Sequence, residues 1–137
     1  MSMSIAHTAV TVSNMEESLK YYTEALGLEK AFEIPNPADG SPWIVYLAMG
    51  GGQFVELFYN GSVPNPWKPE LIGFNHLCFA VEDINAATQR IIDAGYEMTS
   101  MPKKGVDENW QAWSMDPNGI RIELMCISPD SPHAKFM

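Results

Sequence analysis

The chain has 137 residues, 46% of them hydrophobic and 18% charged, and its formal net charge at pH 7 is −9. This composition is that of one ordinary folded domain, and the negative charge argues against nucleic acid and anionic membranes as partners. No apolar run approaches the roughly 20 residues that a membrane-spanning helix needs. The first residues, MSMSIAH, lack the features of a signal peptide, so a cytoplasmic protein is expected.

The first half of the chain predicts a strand, a helix and three more strands. Alternation over residues 5–12 predicts the first strand. Ser13, with Glu16 three residues later, predicts a capping box at the start of the helix, and Gly27 predicts its end. The apolar stripe of this helix is predicted to be Met15, Leu19, Tyr22 and Leu26. The remaining strands are predicted near residues 28–34, 43–49 and 53–59.

The second half repeats this order after a segment rich in Pro and Gly, which we interpret as a surface linker. Asp83 is predicted to cap the second helix and Gly95 to end it. Its apolar stripe is predicted to be Ile84, Thr88, Ile91 and Ile92. The strands are predicted at residues 74–81, 96–101, 110–115 and 120–127, with a charged loop at 102–109 and a turn at 116–119. The tail is expected to be irregular, with a solvated His133.

The two halves are copies of each other. The segment WQAWSMDPNGIRIELM at residues 110–125 matches WIVYLAMGGGQFVELF at 43–58 at a shift of 67, which places Glu56 on Glu123. Further upstream a shift of 69 places His7 on His76. The chain is therefore interpreted as a tandem duplication with one histidine and one glutamate in each copy.

The duplicated histidines and glutamates are predicted to project from the sheet face that the helix does not cover. In the last strand, Glu123 shares that face with Arg121 and Met125. A carboxylate in an apolar strand is rarely buried without a partner. Two imidazoles with two carboxylates suit Zn, Ni, Co or Fe better than Mg or Ca, so the pattern favours a metal site over a structural ion-pair cluster. Cys78 and Cys126 are interpreted as buried reduced thiols.

The sequence resembles the vicinal oxygen chelate superfamily, the group of glyoxalases, bleomycin-resistance proteins and extradiol dioxygenases. The resemblance rests on IAHTAVTVSNMEESLKYYTEALGL and DPNGIRIEL and extends from Ile5 to about Ser128. It implies an α+β fold of tandem βαβββ modules whose mixed sheets curl around a metal. The implied organisation is a single domain, 1–137, with module one at 5–60, a linker at 61–73, module two at 74–128 and a tail at 129–137.

Within that superfamily the quartet His7, Glu56, His76 and Glu123 is similar to the metal ligands of bacterial glyoxalase I, or lactoylglutathione lyase. The resemblance implies nickel or cobalt, with zinc as the alternative, and a homodimer in which the ligands come from one chain or from two. It implies conversion of the hemithioacetal of methylglyoxal and glutathione to a thioester through an enediolate. Glu123 is then the base that moves the proton, and Glu56 is a ligand and possible second base.

The thiol-binding residues match this family less completely. Asn60 matches an asparagine that contacts glutathione, and Lys104 resembles the lysine of the substrate loop, although a solvated loop explains Lys104 equally well. Thr11 departs from the pattern, because glyoxalase I usually has a carboxylate-binding arginine there, which threonine cannot replace.

Two other functions stay open. A different enzyme of the same fold, an epimerase or a dioxygenase, is disfavoured by Glu56. A non-catalytic protein that sequesters a small molecule would not need the metal.

Overall fold

The computed structural model describes residues 2–137, and the chain divides into two compact units, Met1–Pro64 and Asn65–Met137. Each unit contains one four-stranded mixed sheet and one main helix in the order strand, helix, strand, strand, strand. The predicted α+β fold of two βαβββ repeats is therefore confirmed. None of the helices in residues 2–137 is both long and apolar enough to cross a bilayer.

The sheet of unit 1 combines one parallel strand pair with two antiparallel pairs. Its sheet has the order β1-β4-β3-β2, in which only the β1–β4 pair is parallel. The elements are β1 (His7–Thr11), α1 (Met15–Lys20), a π-helical turn (Tyr21–Ala25), β2 (Glu29–Pro35), β3 (Pro42–Gly50) and β4 (Gln53–Phe58).

The start of α1 differs from the prediction. Asn14, not Ser13, is the N-cap: its backbone is extended, and its side-chain oxygen accepts a hydrogen bond from the Glu17 N–H at 3.1 Å. The predicted capping box at Ser13 and Glu16 is therefore wrong by one residue, because two adjacent residues are both able to cap. Gly27 follows the helical segment with φ 78°, as predicted.

The π-helical turn changes which residues of the first helix enter the core. Met15 and Tyr22 of the predicted stripe are buried, but Leu19 and Leu26 are only half-buried. Tyr21, on the π-helical turn, is fully buried as well, and its ring packs edge-on against Tyr22. A wider turn places both adjacent tyrosines on the covered side, which a stripe based on 3.6 residues per turn does not predict.

Unit 2 repeats this topology with the sheet order β5-β8-β7-β6, and only β5–β8 is parallel. Its elements are β5 (Leu77–Ala80), α2 (Ile84–Asp93), β6 (Met98–Lys104), β7 (Trp110–Met115), β8 (Arg121–Cys126) and a 3₁₀ turn (Pro132–Phe136). Asp83 caps α2 as predicted, since its carboxylate accepts from the N–H groups of Asn85 and Ala86. Gly95 follows α2 with φ 92°.

Three predictions for unit 2 are corrected. Strand β5 is shorter than the predicted 74–81, so His76 precedes it. Strand β6 continues to Lys104, where that residue pairs with Trp110, so the predicted loop is shorter. Of the predicted stripe on α2, Ile92 is 39% exposed.

The tail and the cysteines also differ from expectation. His133 is exposed, but its Nδ1 lies 3.0 Å from Nδ2 of the buried Asn109. The Oδ1 of Asn109 accepts a hydrogen bond from the Ser128 N–H. The tail is therefore held to the β7 end of the unit. Both cysteines are free, as predicted, but Cys78 is exposed and Cys126 is half-buried, so the expected burial of both thiols is wrong.

Candidate metal-binding pairs and their surroundings

His7 and Glu56 lie together in unit 1. His7 begins β1, and two residues later Ala9 is the Cα partner of Glu56 on the parallel strand β4. This offset places the two side chains on one face of the sheet. His7 Nδ1 lies 3.4 Å from Glu56 Oε1. The imidazole is 52% exposed and the carboxylate only 7%, so the pair has a buried acidic end and an open imidazole end.

His76 and Glu123 form the equivalent pair in unit 2. His76 directly precedes β5, and two residues later Cys78 is the Cα partner of Glu123 on β8. The offset along the parallel strands is the same as in unit 1. His76 Nε2 lies 2.9 Å from Glu123 Oε2, and the imidazole is more shielded than His7, at 31% exposure.

The two buried carboxylates fit the donor chemistry of a divalent metal. Burial of a carboxylate is unfavourable without compensation, and the only ion-pair partner of Glu56 or Glu123 in residues 2–137 is its imidazole. Neutral imidazoles and carboxylates are ligands of Zn, Ni and Co. Each pair alone is incomplete, because no group of three or more His, Cys, Asp or Glu side chains with metal-binding geometry occurs within residues 2–137. The four-ligand set therefore stays a prediction.

An aromatic cluster, Phe32, Tyr46 and Phe54, adjoins the pair of unit 1. Tyr46 is the Cα partner of Glu56 across the β3–β4 ladder, and hydrogen bonding to the Glu56 carboxylate, with some desolvation, raises the pKa of its hydroxyl. Phe32 stacks on Tyr46 with 4.3 Å between ring centroids, and Phe54 packs edge-on against both. Besides His7, the side chains described next to Glu56 are thus aromatic.

The pair of unit 2 is surrounded by tryptophans and one cation. Trp113 is the Cα partner of Glu123, and its ring lies edge-on to His76 at 4.8 Å. The Arg121 guanidinium lies 4.8 Å from the Trp113 ring centroid and 3.9 Å from that of Trp67. Alternation along the last strand predicts that Arg121 shares the face of Glu123 but predicts no role for it. Trp67 was not predicted, because it belongs to a segment without periodicity.

Asn75 links the cation to the histidine. Its Oδ1 accepts a hydrogen bond from Arg121 Nη1 at 3.0 Å and lies 2.6 Å from His76 Nδ1. A hydrogen bond at Nδ1 leaves Nε2, the atom nearest Glu123, as the nitrogen free for a metal or a proton. Asn75 was not recognised from the sequence.

Cys78, the neighbour of Glu123 across the β5–β8 pair, is not activated. Desolvation and the Glu123 carboxylate raise the pKa of its thiol to about 12, although the residue as a whole is exposed. A thiol with this pKa is almost entirely protonated at neutral pH, which argues against a nucleophilic role for Cys78.

The predicted thiol-binding residues of unit 1 lie at the end of the β1–β4 pair. Thr11, the last residue of β1, is exposed. Asn60 is exposed in a left-handed conformation at φ 73°. The turn after it returns to β1, since the Gly61 N–H donates to the Val12 carbonyl at 2.9 Å. The structure thus brings Thr11 and Asn60 to one edge of the sheet, while their contact with a substrate stays a prediction.

Lys104 is at the end of a strand and not on a free loop. Its Nζ lies 2.7 Å from Glu108 Oε2, and hydrogen bonding to this carboxylate raises the pKa of the lysine. Both side chains are about half exposed. An anionic substrate would compete with Glu108 for this lysine, so Lys104 is less available than a solvated loop residue.

Comparison with known proteins gives consistent results. The model of the Glyoxalase/Bleomycin resistance protein/Dioxygenase superfamily matches residues 4–124. The chain is 30% identical to the "Probable lactoylglutathione lyase" of Vibrio cholerae, covering 88% of each chain. It is 28% identical to "Uncharacterized protein YaeR" of Escherichia coli, covering 88% of this chain and 93% of that protein. A glyoxalase family protein from Enterococcus faecalis has a similar structure, with a TM-score of 0.75, 27% identity and coverage of 89% and 96%.

Proposed function

The chain belongs to the Glyoxalase/Bleomycin resistance protein/Dioxygenase superfamily, and we propose that it is a metal-dependent lyase of the glyoxalase I kind. The proposed reaction converts the hemithioacetal of a 2-oxoaldehyde and a thiol, such as methylglyoxal and glutathione, to a 2-hydroxyacyl thioester. The observation that carries the proposal is the repeated His–Glu pair, His7 with Glu56 and His76 with Glu123, at the same strand offset in both units.

Glu123 is the proposed base. The reaction removes a proton from one carbon and returns it to the adjacent carbon, so the base must be a carboxylate that is ionised and able to release the proton again. Glu123 is 7% exposed, which limits competition from water, and its partner His76 holds it at one oxygen. The Trp113 ring packs edge-on against His76, and Trp113 is the Cα partner of Glu123 on the neighbouring strand.

Glu56, His7 and His76 are the proposed remaining ligands, with Glu56 as a possible second base. A divalent ion held by the four side chains would stabilise the negative charge that develops on the substrate oxygens. Asn75 fixes the orientation of His76 through Nδ1. We propose nickel or cobalt as the native ion, with zinc as the alternative.

The test is thioester formation by protein stripped of metal and reloaded with nickel, cobalt or zinc. We expect methylglyoxal plus glutathione to give thioester only with the reloaded protein, measured by absorbance at the thioester band. Tight metal binding without turnover of any 2-oxoaldehyde and thiol would contradict the proposed reaction. Turnover by the stripped protein would contradict the metal requirement.

We further propose a homodimer in which one copy contributes His7 and Glu56 and the other His76 and Glu123. The proposal is supported by the repeat itself, since each unit supplies one histidine and one glutamate and the four-ligand site needs two such pairs. Subunit mixing tests it: His7→Gln and His76→Gln should each be inactive alone. A mixed dimer of the two variants contains one site with all four ligands, so mixing should restore activity. No recovery after verified subunit exchange would show that each site is built within one chain.

A further inference from the structure

Arg121 is held in a fixed, partly shielded position. Its guanidinium lies 3.9 Å from the ring centroid of Trp67 and 4.8 Å from that of Trp113, and Nη1 donates to Asn75 Oδ1 at 3.0 Å. A guanidinium that contacts two indole rings and donates a hydrogen bond loses part of its hydration and of its rotational freedom. Arg121 is therefore pre-organised to meet a further group.

Within residues 2–137 this cation has no acidic partner. No Asp or Glu oxygen lies within 4.0 Å of the Arg121 guanidinium in residues 2–137, whereas Lys30 and Lys104 are both paired with glutamates. A guanidinium has several N–H donors in a planar fork, and the neutral amide of Asn75 accepts from only one nitrogen. In a chain of net charge −9, a half-buried arginine without a carboxylate is unusual. The remaining donors match a carboxylate supplied from outside the chain.

The arginine is linked to His76 through two other residues. Trp113 contacts both Arg121 and His76, and Asn75 Oδ1 lies within hydrogen-bond distance of both. We propose that Arg121 binds a carboxylate of the substrate and thereby makes the enzyme selective for anionic hemithioacetals. This inference rests on the proposed function. The carboxylate belongs either to the thiol, as in glutathione, or to the oxoaldehyde.

Three hemithioacetals separate these sources. Glutathione with phenylglyoxal has carboxylates on the thiol, 2-mercaptoethanol with 4-carboxyphenylglyoxal has one on the aldehyde, and 2-mercaptoethanol with phenylglyoxal has none. Arg121→Gln is compared with wild type on all three after nickel loading. The matched control is Arg90→Gln, which removes the same charge from the exposed surface of α2.

We expect Arg121→Gln to raise KM by about 10- to 100-fold for the substrates whose carboxylate it binds, with kcat nearly unchanged. The neutral substrate and the Arg90→Gln control should change by less than about twofold, within the effect of a remote surface charge. Nickel affinity should also be retained. An equal loss on all three substrates, or a loss of nickel affinity, would show that Arg121 only positions Asn75 and His76, and would overturn the inference.

A binding measurement distinguishes failure of this inference from failure of the proposed function. S-methylglutathione and its diethyl ester are titrated into the nickel-loaded proteins by calorimetry. Tighter binding of the free acid by wild type but not by Arg121→Gln would support the carboxylate site even if no thioester forms. Equal binding of the acid by wild type and Arg121→Gln would rule out the thiol as the source of the carboxylate. 4-Carboxyphenylglyoxal and phenylglyoxal, each without a thiol, are therefore titrated in the same way. If wild type and Arg121→Gln bind both S-methylglutathione and 4-carboxyphenylglyoxal equally, the inference is overturned, whether or not the reaction occurs.

Discussion

The two units repeat one geometry with different surroundings. In both, a histidine at or directly before the start of a parallel strand lies beside a buried glutamate, whose Cα partner is two residues after that histidine. In both, an aromatic residue is the cross-strand partner of that glutamate. In unit 1 the position two residues before Glu56 is Phe54, which packs against Phe32 and Tyr46. In unit 2 the equivalent residue is Arg121. The His–Glu pair is thus kept in both units, while an arginine in unit 2 stands where unit 1 has a phenylalanine.

The largest expected effect tests whether the two glutamates have different roles. Glu123→Gln should keep most of the nickel affinity and lower kcat by about 10²- to 10⁴-fold, because the amide cannot accept the proton. Glu56→Gln should mainly weaken nickel binding. Both are measured by nickel titration and thioester formation, with Glu16→Gln on the exposed face of α1 as control. Retained turnover by Glu123→Gln would contradict its assignment as base.

A second comparison concerns the hydrophobic cores of the two units, which we expect to lose similar stability when a buried leucine is truncated. Leu57 and Leu124 occupy equivalent positions in β4 and β8 and are at most 2% exposed. Truncation of either to alanine removes apolar contacts and leaves a cavity, so each should lower the free energy of unfolding by about 2–5 kcal/mol. Urea denaturation measures both. A loss below about 1 kcal/mol at one site only would show that the two cores are not equivalent in packing.

The hairpin turns should respond differently. In unit 2 the buried Asp116 accepts hydrogen bonds from the N–H groups of Asn118 and Ile120, each at 2.8 Å. In unit 1 the corresponding turn is formed by Gly50, Gly51 and Gly52 without a side-chain acceptor. Asp116→Ala should therefore lower the free energy of unfolding by about 1–3 kcal/mol. Asp116→Asn keeps a side-chain oxygen that accepts hydrogen bonds, so it should be much less destabilised than Asp116→Ala in the same denaturation experiment. Equal destabilisation of the two variants would show that the charge of Asp116, and not its hydrogen-bond acceptor, stabilises the turn.

The smallest expected difference is between the helix caps. Asp83 accepts from two backbone N–H groups at the start of α2, and Asn14 accepts from one at the start of α1. Asp83→Ala should cost about 1–2 kcal/mol and Asn14→Ala about 0.5–1 kcal/mol. Thermal denaturation of both variants checks the order. A larger loss for Asn14→Ala would indicate that the π-helical turn makes α1 more dependent on its cap.

Local patterns in the sequence were sufficient for most of the fold. Alternation and the cap at Asp83 predicted the strands and α2, since each depends on neighbouring residues only. The start of α1 was missed because Ser13 and Asn14 are both good caps and tertiary packing selects between them. The start of β5 after His76 depends on where its partner β8 begins, which no local pattern records.

The sequence predicted which histidines and glutamates form the candidate site, but it did not predict the side chains that surround them. Alignment of the two repeats identified the two histidines and two glutamates, and alternation placed Arg121 on the face of Glu123. The contact of Trp67 with Arg121 depends on how an aperiodic segment folds back onto the sheet of unit 2. Likewise, the bond from Asn75 to His76 involves a residue just outside β5, where alternation no longer applies.

Nickel titration of wild type, His7→Gln and His76→Gln by calorimetry tests most directly the claim that both pairs serve one ion. We expect wild type to bind about one nickel ion per chain, and each variant to lose at least about 10-fold in affinity for that ion. Two ions per chain, each lost in only one variant, would show that the pairs act independently. Wild-type affinity in either variant would likewise contradict a shared four-ligand site.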